Sequence, residues 1–287
     1  RKEYFPPEVK RIESDLFTLV LFSEALANVD LAIYSAGVPE QWLRDKSHFN
    51  RINHDLFKTF LDAITGKGIN KLIYISTYEV FAEREREIRE SHPITSVHTS
   101  SYFDSMTKAF KIAKDCEKKH NLDLITIHPA AVYGGVNTRK GATDLILNVK
   151  NRNFRKLRAL INSSFPLAHV DSLADGVLRA IERNKWGESY IFSDGMTCLE
   201  TVVRTVKSIY PSAYVPMKIP VWLARLSAFL LEFIANHITH RTPIISKVQI
   251  GFITRALRPS SEKAERELGW KPMPLPEGIK KMFEISK

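Results

Sequence analysis

Three short apolar runs at wide spacing constrain this chain most: "DLAIYSAG" (30–37), "KLIYIST" (71–77) and "DLITIHP" (123–129). Each is seven or eight residues rich in β-branched and aromatic side chains, the pattern of a strand buried on both faces. Between them lie helix-like stretches. "FNRINHDLFKTFLDAITGKG" (49–68) sets Ile52, Leu56, Phe60 and Ile64 on one face and ends in glycines. "SSYFDSMTKAFKIAKDCEKKH" (100–120) reads as a longer helix. Strands alternating with helices of this length form parallel βαβ units, so the spacing predicts an α/β parallel sheet with helices on both faces. Ligands of such sheets sit beyond the carboxyl ends of the strands. Asp15, Ala36 with Gly37, Ser76 with Thr77, and Pro129 hold those places.

Other segments are read the same way. "EVKRIESDL" (8–16) reads as a short extended run, "LFSEALANV" (21–29) as a helix, and "EREREIRE" (83–90) as a solvated loop or helix face. After about residue 135 proline becomes denser, which suggests a boundary there: residues 1–135 as an α/β unit and 136–287 as a smaller, mostly helical region, with parts interleaved. That second region carries the apolar stretch 219–238 and ends as helix, Pro-rich turn and helix.

The charge of +10 raises nucleic acid or an anionic membrane as partners. The cations are scattered among acids, and no helix-turn-helix, zinc-finger or RNP pattern is present, so nucleic acid is not expected. The cluster "NVKNRNFRKLR" (148–158) reads either as an anion patch or as a solvated face. Two cysteines, Cys116 and Cys198, build no disulfide framework and no metal spacing, which points to a reducing compartment. The opening "RKEYFPPEVKR" has no apolar core of a signal peptide.

Motif order then brings in a family. "SDLFTLVLFSEALANVDLAIYSAG", "FNRINHDLFKTFLDA" with Asn53, "LIYISTYEVF", "LITIHPAAVYGG", "FPLAHVDSLADGVLRAIE", "YIFSDG" and "KAERELGWKP" follow one another along nearly the whole chain. In that order they resemble the extended short-chain dehydrogenase/reductases, and within them the 3β-hydroxysteroid dehydrogenase-like branch that includes sterol dehydrogenases. The resemblance implies a Rossmann-like fold, with residues 1–135 as a partial Rossmann-type dinucleotide-binding domain and 136–287 as the substrate-binding region, NAD or NADP as cofactor, a small apolar, sterol-like substrate, and hydride transfer at a secondary hydroxyl or ketone. By it Tyr102 takes the catalytic tyrosine place and Thr77 the neighbouring hydroxyl, with Asp15, Leu16, Ala36, Gly37, Asn53, Tyr102, Pro129 and Val132 along the cofactor. No metal is implied.

Two departures stand against that pattern. The family's catalytic lysine follows the tyrosine by four residues, and the spacing to the Pro129 turn puts Met106 there. A second alignment places Asp104 and Lys108 in the tyrosine and lysine positions, but it loses the tyrosine and needs a two-residue deletion. On a helix position 106 lies about 40° from Tyr102 and position 108 about 240° away, so Lys108 cannot stand in. At an ordinary pKa near 10 only about one tyrosine in a thousand is ionised at pH 7. The family's GxxGxxG turn has no counterpart: Gly37 is the one glycine in the first 65 residues, and "GKG" at 66–68 is a helix end. The first βαβ unit is therefore absent from this sequence, and the run near Val9 to Ile12 is expected to slide in beside "DLAIY", leaving an exposed edge that favours a homodimer.

Bland readings accompany these. Tyr102 at a helix start can be a packing residue, and Thr77 a turn former. His169 with Asp171 reads as a strand end followed by a helix cap, Asp171 being the cap. The stretch 219–238 carries Arg225, Glu232, Asn236 and His237, so it is expected to lie on a membrane or line a substrate entrance rather than span; a buried helix is the alternative. The functional expectation is a cytoplasmic NAD(P)-linked oxidoreductase, peripheral to the endoplasmic reticulum membrane and impaired at Met106. Its rival is an inactive relative serving as a lipid-binding or scaffolding module.

Overall fold

The run "KLIYI" becomes the strand β2 (Lys71–Ile75), and its alternation decides the layering. Leu72 and Tyr74 turn to one face of the sheet and Ile73 to the other, and all three are buried. β2 is flanked by β1 (Ala32–Tyr34) and β3 (Asp123–Pro129), and β3 by the later strand Ser189–Phe192, all parallel. The four-stranded order is therefore β1, β2, β3, then Ser189–Phe192. The computed structural model describes residues 6–10, 12, 25–38, 42–97, 100–135, 141–151, 159–161, 163–213, 215 and 217–284.

Helices cover both faces. α1 (Leu56–Gly66) continues a π-helical segment, Asn50–Asp55, and packs with α2 (Ser101–His120) over Leu72, Tyr74 and Leu124. α2 starts at Ser100, whose hydroxyl accepts the Phe103 N–H, and stops at Asn121 in the left-handed conformation (φ 51°). Lys118, Lys119 and His120 sit where the helix dipole favours cations. On the other face, Ile73, Ile125 and Ile127 meet Phe192, Ala264, Leu268 and Trp270. The Trp270 indole is buried and donates to the Ser172 carbonyl at 2.8 Å, which satisfies its one polar atom.

A second layer of structure follows. β4 (Ala131–Tyr133) and β5 (Ser164–His169) are parallel, and Gly195–Cys198 returns antiparallel to β5. Their core of Tyr133, Phe165, Leu167, Val202, Val203, Val206, Ile279 and Phe283 is separate from the first sheet's. α3 (Val221–Ile234), extended as a π helix to Thr239, and α4 (Lys247–Arg255) pack together through Ala224, Ala228 and Ile250. Phe252 of α4 touches both larger cores. The chain ends in Glu262–Leu268, the turn, and Leu275–Glu284, as the sequence pattern predicts.

Three expectations need correction. Val9, Lys10 and Ile12 form no strand, and among the described residues β1 has β2 as its single partner. Val9 and Ile12 differ by three, so in a strand they would point to opposite faces, and charged neighbours leave neither face apolar. Both are about half exposed. The acidic-basic run 83–90 is neither a helix nor wholly solvated: Glu87–Ile88 pairs with Arg258–Pro259, and Ile88 is buried. The helix after β5 is capped by His169, not Asp171: His169 Nδ1 accepts the Asp171 N–H at 3.1 Å.

Candidate active site

The ends of β1 and β2 face the start of α2, and this brings most of the expected residues to one edge of the sheet. After β1 the chain turns through Ala36 and Gly37 to Val38. Asn53, buried in the π-helical segment, accepts the Val38 N–H on its Oδ1 at 2.8 Å and donates from Nδ2 to Ser105 Oγ at 3.0 Å. Ser105 in turn donates to the Tyr102 carbonyl at 2.7 Å. A Cβ at Gly37 would lie 3.2 Å from Asn53 Oδ1, so a side chain there would push on this clamp. Asn53 thus ties the turn after β1 to the helix carrying Tyr102.

Thr77 follows β2 in extended conformation and is buried. Its carbonyl accepts from His128 Nδ1 at 3.0 Å. A carbonyl only accepts, so the proton of the neutral ring is on Nδ1, and Nε2 accepts from Thr126 Oγ1 at 2.9 Å. Thr126 then receives the Ser189 hydroxyl at 2.6 Å. Burial holds His128 far below the ordinary histidine range, at about 3, so the relay stays neutral.

Tyr102 and Met106 lie on the inner face of α2 as their spacing predicts. Met106 is buried in the first core, and Tyr102 packs against that core with its ring edge-on to Phe49. The Tyr102 phenol is pushed up to about 12, first by burial and then by the charge of Glu79. Lys108 points the other way and pairs with Asp104 at 2.7 Å in a half-exposed i,i+4 contact, a surface pair. Pro129 is buried at the end of β3, whereas Val132 is 38 % exposed. Asp15 and Leu16 lie outside the described residues, as do residues 152–158 of the basic cluster.

Sequence reasoning missed Glu79. It stands two residues beyond Thr77 on a 3₁₀ turn and is buried. Its Oε2 has no hydrogen-bond partner, and its Oε1 lies 3.5 Å from Arg255 Nη1. Burial pushes its carboxyl up to about 7, with Arg255 pulling the other way. A glutamate next to a candidate hydroxyl was a visible signal; its partner, at the end of α4, was not. The two turns flanking the second layer also meet. Gly134, at φ 109°, closes on the His169 ring, and a Cβ there would lie 2.5 Å from Nε2.

Fold and site together define an α/β protein of the Rossmann type, with Thr77 just beyond β2 and Tyr102 at the start of α2. The chain belongs to the NAD dependent epimerase/dehydratase family, whose sequence model matches residues 2–192. It is 25% identical over 289 residues to the mouse (Mus musculus) short-chain dehydrogenase/reductase family 42E member 1, covering 92% of this chain and 72% of that protein. It is 22% identical to the decarboxylating sterol-4-alpha-carboxylate 3-dehydrogenase of Candida albicans, covering 93% and 79%. Its fold superposes on UDP-glucuronic acid 4-epimerase from Bacillus cereus with a TM-score of 0.72 at 16% identity, over 94% of this chain and 79% of that one. A nicotinamide cofactor follows from the family. Met106 brings no charge to the inner face of α2 beside Tyr102.

Proposed function

We propose that the protein is an NAD(P)-linked oxidoreductase acting on a secondary hydroxyl or ketone of an apolar, sterol-like substrate, slowed by Met106. Tyr102, in its ionised phenolate form, takes the hydroxyl proton as the carbon's hydride leaves, and Thr77 hydrogen-bonds the same oxygen. A nicotinamide, when bound, would supply the hydride acceptor. Asn53 keeps the turn after β1 and the start of α2 in register. What supports this reading is geometric: Tyr102 and Met106 share the inner face of α2, and Asn53 ties that helix to the turn after β1. A lysine at 106 would bring the phenol down by a nearby positive charge.

The experiment is oxidation of a 3β-hydroxysteroid with NAD or NADP by the parent, Tyr102→Phe and Met106→Lys. Slow turnover is expected in the parent, loss in Tyr102→Phe, and a gain of about tenfold or more in Met106→Lys, equal to about 1.4 kcal/mol of barrier. Parent turnover untouched by Tyr102→Phe would remove Tyr102 from the chemistry.

A second reading is a non-catalytic lipid-binding module. The absent cation at 106 and the exposed apolar face of α3 favour it. Saturable sterol binding with no turnover in the parent or in Met106→Lys would select it.

A further inference from the structure

α3 is amphipathic in the unusual sense: its small residues face the protein and its large ones face out. Ala224, Ala228 and Ala235 are buried, and the first two let α4 approach through Ile250. Trp222, Leu226, Phe229, Leu230 and Phe233 form the opposite stripe at helical spacing, continued by Ile238, and each is about half exposed or more. Scattered exposed apolar residues are ordinary, whereas a contiguous stripe of this size marks an interaction surface.

Charge indicates what covers it. From Met217 to Lys247 the one carboxylate is Glu232. It is turned inward, where Oε1 accepts the Lys247 N–H at 2.7 Å and stabilises the start of α4. The same segment carries Lys218, Arg225, Arg241 and Lys247. Arg225 and Arg241 are exposed. Lys218 and Lys247 pair with Glu200 and Glu232, so the cations beside the outward stripe are Arg225 and Arg241, an apolar face with positive charge complementary to a bilayer bearing anionic headgroups.

Length and composition alone would let Val221–Thr239 cross a bilayer. Spanning would strip Ala224 and Ala228 from α4 and break the Glu232–Lys247 contact, exposing a carboxylate to hydrocarbon. Lying on the surface keeps both. We propose that the protein docks on an anionic lipid surface through the outward stripe of α3, peripherally and without spanning. This sets the membrane one helix from the candidate site, because α4 packs on α3 and ends in Arg255, which pairs with Glu79.

The test is flotation of the full chain with phosphatidylcholine vesicles and with vesicles of phosphatidylcholine and phosphatidylserine. The parent is expected to float with the second, less so as salt is raised, and to be released by alkaline carbonate. The triple variant Leu226→Gln, Phe229→Gln, Phe233→Gln should lose binding tenfold or more while keeping the parent's thermal unfolding. Arg225→Gln and Arg241→Gln should each cost about fivefold. The proposal is overturned if the parent ignores anionic vesicles, if the triple variant binds as the parent does, or if carbonate fails to release it. A parent dimer that the triple variant dissociates, with no vesicle binding, would make this face an interface between two copies instead.

Discussion

Arg255 Nη1 lies 3.5 Å from Glu79 Oε1, joining the last residue of α4 to the turn that follows Thr77. Arg255 also holds Glu83 at 2.9 Å, so one guanidinium clamps the loop after β2 from two sides. Glu79 remains hard to ionise despite this cation, because burial outweighs it.

The first expectation concerns pH and Glu79. Its carboxyl is raised in the fold from the ordinary 4.5 to about 7. The folded state thus holds that proton more tightly than the unfolded chain. This contribution is fully present below about pH 4.5 and is lost as pH rises through 7, amounting to roughly 3 kcal/mol. Urea unfolding of the parent and Glu79→Gln across this range should show the parent alone losing stability as pH rises. Arg255→Met should move the loss to higher pH, since it removes the charge that favours the ionised form.

His128 should act in the opposite direction. Its folded value of about 3 lies below the ordinary 6.5. The unfolded chain takes up the proton first, so stability is full above about pH 6.5 and is lost as pH falls toward 3. The loss is of order 5 kcal/mol. In His128→Gln, which keeps a donor for the Thr77 carbonyl, acid unfolding should begin at lower pH than in the parent. Equal acid midpoints in the two proteins would show that His128 is not the group being protonated.

Asn53→Leu should separate the turn after β1 from α2. It removes the acceptor for the Val38 N–H and the donor to Ser105. Leaving buried partners unpaired costs about 1–3 kcal/mol. The unfolding free energy from denaturant titration should fall by that amount, and amide exchange at Val38 should quicken. Asn53→Asp, which keeps the acceptor, should protect Val38 better than leucine does.

Much of this arrangement is legible in local pattern. β2 and β3 are visible because a strand covered on both sides must be apolar at consecutive positions. α2, with Tyr102 and Met106 on its inner face, is visible because 3.6-residue periodicity ties position to face without reference to the rest of the chain. The same rule places Lys108 outward, where it meets Asp104. Val9, Lys10 and Ile12 form no strand because a short apolar pair among charged residues has no strand preference of its own. His169 capping its own helix was misread because capping depends on how the ring is held, here against Gly134.

Chain order and periodicity are enough to place the parallel sheet, its covering helices and the residues at the strand ends, since each element follows from the pattern within its own segment and the crossovers from the handedness of βαβ units. Folding decides what those residues are worth chemically. Glu79 is an ordinary glutamate in the sequence and a carboxyl at about 7 only because buried neighbours strip its water and Arg255, far along the chain, stands beside it. Likewise the apolar stretch 219–238 could have been core, and it faces outward only because α4 occupies its alanine side. Burial and long-range pairing set local dielectric and exposure, and neither is written into a segment read by itself.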